Sequence, residues 1–303
     1  LNYKDNENLQ NKVQINKINK DFLIKGDSFN INKILDNILD SGSKNNEIFK
    51  KNFKVNFDVN KIFLDKNNFI NDLNGYLFLN KNKITELNLK SQFSNNKEIK
   101  LTIKKIGNEQ ITTLFSNEAK PLVDRYKFIK GFEQGSLDFY SVKNKDISQS
   151  TLKIYDFKLK ELPVLTKLLT LASLQGIADL LTGEGIRFNE FEMKFSSKEN
   201  LMTIEEIYAI GPAISILMSG YIEKDNLVSL RGTLVPATTI NKTIGSIPVL
   251  GNILVGKKTG EGVFGVSFKI KGPPKNLDTT VNPIKTLTPR FITRTLEKIK
   301  KIN

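Results

Sequence analysis

The residue types that most enzymes use for nucleophilic and acid–base chemistry are missing from this chain. Its 303 residues include no cysteine, histidine or tryptophan, which excludes thiolate nucleophiles, imidazole bases, and zinc sites of the Cys/His type. The composition still allows catalysis by Ser/Lys pairs or paired carboxylates, and metal sites with oxygen ligands. However, the sequence shows no spacing of these residues that is typical of such a site. We therefore expect no catalytic residues, no metal and no cofactor, in a protein that is not an enzyme.

The net charge of +14 raises the question of nucleic-acid binding, because clustered Lys and Arg attract phosphate. The composition argues against it, since Lys is spread along the chain among Asn and Ile and few of the 46 basic residues are Arg. Arg is the residue favoured for bidentate phosphate and guanine recognition. We expect no nucleic-acid partner; the arginines are Arg125, Arg187, Arg231, Arg290 and Arg294.

Alternation of apolar and polar residues is the clearest pattern in the chain, and it predicts half-buried β-strands. In the first 115 residues it occurs at 53–59 and 99–103, with further strands expected at 76–79 and 87–89. Ahead of these strands, residues 31–39 have the one-face spacing of a short amphipathic helix. We expect a β-rich segment over residues 1–115 that begins with this helix.

The remainder of the chain, residues 116–303, is expected to start with a helix over 116–130 and two strands. A shift in apolar parity in the second strand predicts a bulge near Tyr155 or Asp156. A second helix begins at Pro163, runs to about residue 181 and is apolar over more than one narrow stripe. Strands are predicted at 137–141, 152–159, 186–195, 201–208, 213–222, 228–234 and 264–271.

One face of the later strands is consistently apolar. Such a face is covered by helices or a second sheet, or is left to a ligand with hydrocarbon chains, and the pattern does not choose between these. The fold expected is mainly β with a few helices (α+β), an elongated, curved antiparallel sheet that forms an apolar groove capped or lined by amphipathic helices. The groove candidates are Ile214, Ile216, Met218, Val228, Leu230, Phe264, Val266, Phe268 and Ile270.

Two further segments could close the groove or contact a membrane. Residues 236–262 combine Gly with many aliphatic residues, a surface that must be buried, lie in lipid or cap an open end. The chain then ends in a basic amphipathic helix, which suits an anionic membrane surface or is simply a solvated C-terminal face. The candidates are Ile247, Val249, Leu250, Ile253, Leu254, Arg290, Phe291, Ile292 and Arg294.

Several segments resemble the C-terminal region of AsmA-like proteins of the YhdP type. They are the run at 157–162, PVLTKLLTLASLQGIADLLTGEGIRF at 163–188, LRGTLVPATTINKTIGSIPVLGNILVG at 230–256, FGVSFKIKGPPKNLDTTVNPIKTLTPRF at 264–291, and the helix before Gly131. The chain departs from the family at Pro273 and Pro274, where an Asp-Pro pair is usual. The resemblance covers roughly residues 115–295 and appears in the family's order.

The resemblance implies an inner-membrane-anchored periplasmic protein whose β-groove carries phospholipid acyl chains toward the outer membrane and maintains the envelope barrier. The alternative it leaves is a scaffold for the assembly of outer-membrane proteins, with an envelope protein as partner. The chain begins at Leu1 with polar residues and has no visible signal peptide. We therefore expect a fragment from which the N-terminal anchor is missing.

Overall fold

The protein is mainly β. In the computed structural model, residues 1–32, 52–80, 83–125, 131–160, 162–172, 174, 178–179, 183–236, 265–274 and 276–284 are described. The described strands are β1 Asn2–Lys4, β2 Gln10–Ile18, β3 Asp21–Asn30, β4 Phe53–Phe63, β5 Phe69–Asn80, β6 Lys83–Gln92, β7 Glu98–Ile106, β8 Glu109–Ser116, β9 Phe132–Asn144, β10 Ile147–Leu159, β11 Ile186–Lys198, β12 Leu201–Ile210, β13 Ile214–Glu223, β14 Leu227–Pro236, β15 Gly265–Gly272 and β16 Asp278–Ile284. Two short helices are described, α1 Lys120–Arg125 and α2 Pro163–Leu171.

All these strands belong to one sheet, in which strand order follows chain order from β1 to β16. Neighbouring strands are antiparallel from β4 to β9 and from β11 to β16. The expectation of a purely antiparallel sheet is wrong at one pair, because β3 and β4 are parallel. A parallel pair needs a connection of about a dozen residues or more. The chain between the end of β3 at Asn30 and the start of β4 at Phe53 is longer than that.

The regularly alternating segments are confirmed as strands, whereas five strands of less regular sequence were not predicted. The segments at 53–59 and 99–103 lie in β4 and β7, and the later meander is β11 to β15. The strands that were missed are β1, β2, β3, β8 and β16. In β2 the alternation of Val13 and Ile15 is short, because Lys17 and Ile18 reverse it. In β16, Pro283 argues against a strand, yet it is tolerated because β16 is an edge strand.

The predicted start of the helix at 116–130 is wrong, because strand β8 continues to Ser116. The Ser116 hydroxyl accepts a hydrogen bond from the Glu118 N–H at 3.2 Å and donates one to the Glu118 carbonyl at 2.7 Å. Ser116 therefore forms the turn between β8 and α1, and the helix begins at Lys120. Residues 126–130 of that predicted helix lie outside the described residues. So do residues 33–39 of the helix predicted at 31–39.

Helix α2 begins at Pro163 as expected, since proline lacks the N–H that a first-turn residue leaves unpaired. Its buried side chains are Leu165, Leu168 and Leu169, and it contacts β16. It ends at Leu171, where the Ala172 N–H donates to the Leu168 carbonyl. Much of the predicted extension to residue 181 lies outside the described residues.

The chain divides into two compact units. The first is Leu1–Phe128 with Gln134–Leu152, and the second is Ile129–Glu133 with Lys153–Asn303. This division falls inside β10, whereas the sequence led us to place a boundary between residues 115 and 116. Each unit is described by itself below.

In the first unit, alternate residues of neighbouring strands form an apolar cluster on one side of the sheet. Leu87 lies opposite Ile103 in the register of β6 and β7, and both are buried. The other side is polar: the Lys54 ammonium lies 4.0 Å from the centre of the Tyr76 ring, and the Tyr76 hydroxyl donates to Glu86. That hydrogen bond to Glu86 raises the pKa of Tyr76, because it stabilises the neutral phenol.

In the second unit, three stacked phenyl rings anchor the core. The Phe157 ring lies between those of Phe132 and Phe188, with ring centres 5.3 Å apart on each side. All three side chains are buried. The predicted shift of parity in β10 is confirmed, because Ile154 and then Phe157 are buried and Asp156 between them has a φ of 51°. This irregularity places the Phe157 side chain between the rings of Phe132 and Phe188.

We predict that Phe157→Ala lowers the free energy of unfolding by about 3–5 kcal/mol, because it leaves a cavity between two rings that cannot close on each other. Urea unfolding followed by circular dichroism measures the change. Phe115→Ala is the matched control: Phe115 is 37% exposed, so its truncation should cost less than about 1 kcal/mol. Equal losses in the two variants would contradict the role of the stack.

Candidate functional site

The register of the second unit assembles one continuous apolar face. Ile216 lies opposite Leu234, Leu230 lies opposite Ile270, and Leu234 lies opposite Val266. Side chains in a strand alternate between faces with a period of two, so residues in register share a face. The face contains the described groove candidates, which are Ile214, Ile216, Met218, Val228, Leu230, Val266, Phe268 and Ile270; Phe264 lies outside the described residues.

The same face extends over β12 and β11, which contribute residues that were not among the candidates. In the register of β11 and β12, Phe191 pairs with Ala209, Met193 with Ile207 and Phe195 with Ile204. Their alternation with Glu190, Glu192 and Lys194 was visible in the sequence. It was read only as a strand, because nothing within one strand shows which neighbouring face it joins.

Burial across this face is uneven. On β15, Val266, Phe268 and Ile270 are almost fully buried, at 1%, 4% and 5% exposure. On β12, β13 and β14 some apolar side chains of this face are buried too, namely Ile204, Ile207, Ala209, Ile214 and Leu234. Other large apolar side chains, on β11 to β14, are half-buried. An apolar ligand would therefore find accessible surface on parts of β11, β13 and β14. The half-buried set, which we call the central apolar patch, is Phe191, Met193, Phe195, Met202, Ile216, Met218, Ile222 and Leu230.

A close approach of two strands sits at the border of the central apolar patch. Gly232 on β14 pairs with Met218 on one side and with Phe268 on the other. A Cβ atom at Gly232 would collide with the Leu217 carbonyl oxygen and would lie 2.6 Å from Cζ of Phe268. The absence of a side chain at this position lets the Phe268 ring lie over β14.

The opposite face of the same strands is polar and carries two adjoining depressions. One has a volume of about 490 Å³ and the other of about 880 Å³. Both are lined by Arg231 and Lys269, with Ser219 and Glu205 on the neighbouring strands. The sequence led us to expect an apolar groove, and these depressions are instead lined mainly by polar-face residues.

The other candidates cannot be placed. The groove-end and membrane-contact residues lie outside the described residues and stay predictions: Ile247, Val249, Leu250, Ile253, Leu254, Arg290, Phe291, Ile292 and Arg294. Within the described ranges, no group of three or more Asp, Glu, His or Cys residues is placed to hold a metal ion. None of the helices in the described part of the chain has the length and apolarity to cross a membrane.

We predict that Gly232→Ala lowers the free energy of unfolding by about 1–3 kcal/mol, because the added methyl group forces β13 and the Phe268 ring to move. Thermal and urea unfolding measure the loss. The control is Gly107→Asn in the turn between β7 and β8. No atom lies within 4 Å of a Cβ there and asparagine tolerates the φ of 59°, so the effect should stay near 0.5 kcal/mol or below. An unchanged Gly232→Ala protein would contradict the close approach.

The chain was compared with family models, with curated proteins and with solved structures. None of the three comparisons finds a match. The resemblance to AsmA-like proteins therefore rests on the segments quoted above and stays a prediction.

Proposed function

We propose that this protein is a non-enzymatic lipid conduit, which holds phospholipid acyl chains on its apolar sheet face. In this proposal it carries phospholipid across the periplasm toward the outer membrane and so maintains the envelope barrier. The observation that carries the proposal is the central apolar patch. Large apolar side chains of β11, β13 and β14 share a face by register and stay half-buried.

The physical need for such a surface follows from the cost of exposing hydrocarbon to water. A phospholipid with two acyl chains has roughly 30 methylenes, each worth about 0.8 kcal/mol on transfer from water, so that free passage is opposed by about 24 kcal/mol. A continuous apolar face lowers this cost without any bond being made or broken. Met193 and Met218 suit the task, because their flexible thioethers adapt to irregular apolar partners.

The location in the periplasm and the anchor in the inner membrane come from the resemblance to AsmA-like proteins. The same resemblance supplies the alternative, a scaffold that assists outer-membrane proteins, with an envelope protein in place of lipid on the apolar face. The two functions differ in what touches the central apolar patch, and they can be separated by cross-linking.

A photo-cross-linking residue at Met218 should yield lipid adducts in cells, because Met218 is half-buried on the apolar face. The same residue at Ser196, which is half-buried on the polar face of β11 and lines neither depression, is the control and should yield none. Mass spectrometry of the purified protein identifies the adducts. Lipid adducts from Ser196 alone would overturn the proposal, and protein adducts without lipid at Met218 would favour the scaffold.

Charge placed on the two faces provides a second prediction. Leu230 and Ser229 are neighbours on β14 with side chains on opposite faces, and both are half-buried. Leu230→Lys should make cells that depend on the protein sensitive to detergent, because an ammonium group opposes acyl chains, whereas Ser229→Lys should leave resistance unchanged. Thermal unfolding of both purified variants checks that each folds. Normal resistance with folded Leu230→Lys would contradict a lipid path over this patch.

A further inference from the structure

Two positive charges face each other on the polar face of the second unit. Arg231 on β14 and Lys269 on β15 are direct partners in the antiparallel register. Like charges in this position destabilise a sheet, and a carboxylate opposite either one would have been stabilising. On their outer sides the pair meets hydroxyl residues, Ser219 beside Arg231 and Thr280 beside Lys269.

Within the part of the chain that the structure describes, neither cation forms an ion pair, although Glu205 and Glu206 line the smaller depression with them. The ion pairs found there in the second unit use other lysines: Lys153 and Lys194 approach Glu192 at 3.8 and 3.3 Å, and Lys160 approaches Glu133 at 2.9 Å. Arg231 and Lys269 are both exposed. The repulsion between them is therefore a cost in the ligand-free protein that an anion would relieve.

The surroundings of the pair suit a phosphate group. Arg231 and Lys269 line both depressions, and the smaller one, of about 490 Å³, also exposes Ser219, Thr233 and Thr280. An Arg fork, a Lys point charge and hydroxyl donors are the groups that bind phosphate oxygens in proteins. We propose that this polar face binds a phosphate ester, with its phosphate between Arg231 and Lys269.

The position of Glu205 indicates which class of phosphate ester would bind. It is exposed at the irregularity in the β12–β13 register, and it lines both depressions on the far side of Ser219 from Arg231. Glu206 lines the smaller depression as well, and Glu223 lines the larger one. These carboxylates oppose a purely anionic ligand and favour one that carries an amine next to the phosphate. The ligand class is therefore an aminoalkyl phosphate, either as a free metabolite or as the headgroup of a lipid.

The test titrates the full chain with phosphoethanolamine and, in parallel, with glycerol 3-phosphate, and follows binding by calorimetry. We expect saturable binding of both, tighter for phosphoethanolamine, and at least a tenfold loss of affinity in Arg231→Gln. Arg187→Gln is the matched control, since Arg187 is exposed in the same unit and does not line the depressions. Replacing Glu205 and Glu206 together by Gln should remove the preference between the two ligands. Absent binding, or an equal loss in Arg187→Gln, overturns the site.

Stability separates a binding role for Lys269 from a structural one. Lys269→Thr should raise the midpoint of thermal unfolding without ligand, because it removes the repulsion from Arg231, and should abolish the further rise that phosphoethanolamine gives the wild type. A lower midpoint in Lys269→Thr overturns the proposal, since Lys269 would then serve the fold.

The source of the phosphate is decided by flotation with vesicles. Vesicles of phosphatidylethanolamine and phosphatidylcholine, whose headgroups are both aminoalkyl phosphates, should carry the wild type but not Arg231→Gln to the top of the gradient if the ligand is a headgroup. Binding of soluble ligand alone assigns a free metabolite, and either result supports the site. Met218 also contributes to the lining of the smaller depression, whereas Ile216 is half-buried on the apolar face and lines neither depression. Lipid adducts from a cross-linking residue at Ile216 and phosphate binding that depends on Arg231 are therefore independent results.

Discussion

The register between neighbouring strands is the constraint on which both faces of the second unit depend. Because side chains alternate, a slip of one residue between β13 and β14 would carry Leu230 to the polar face and Arg231 to the apolar one. Gly232 opposes such a slip, since only a residue without a side chain fits beneath the Phe268 ring and against β13. Gly220 on β13 makes a second close approach, to Ser229 and Leu230 on β14. Together these two approaches help to keep the apolar patch and the charged pair on their separate faces.

How much of this could be read from the sequence depends on whether a feature lies within one strand or between strands. The alternation of β4, β7 and β13 to β15 is internal to each strand, and it predicted these strands and their apolar residues. Strand β2 was missed because Lys17 and Ile18 reverse the alternation that Val13 and Ile15 begin, and β16 was missed because of Pro283. The parallel pairing of β3 and β4 is a property of two strands and a crossover, so no local pattern encodes it.

The same distinction applies to the candidate site. Ile216, Met218 and Leu230 were recognised because each alternates with polar neighbours in its own strand. The juxtaposition of Arg231 with Lys269 was not, because it needs the register of β14 with β15. In the sequence, Arg231 counted only as one of few arginines in a chain rich in lysine. A sparse Arg content argues against a nucleic-acid surface, but it says nothing about a single anion site.

The uneven burial of the apolar face bears on how a hydrocarbon ligand would lie there. On β15 the apolar side chains are already almost fully buried, so a ligand gains little contact by reaching them. On β11 and over much of β13 they are half-buried, and the free energy available from further burial is greatest there. Phe191 and Ile216 lie in register on either side of Ala209, which is buried on β12. With Met218 they mark a path that crosses the strands rather than following one of them. A path across strands can continue wherever a further strand joins in register, which is how a sheet ordered like this one can offer a longer apolar surface than any single pocket.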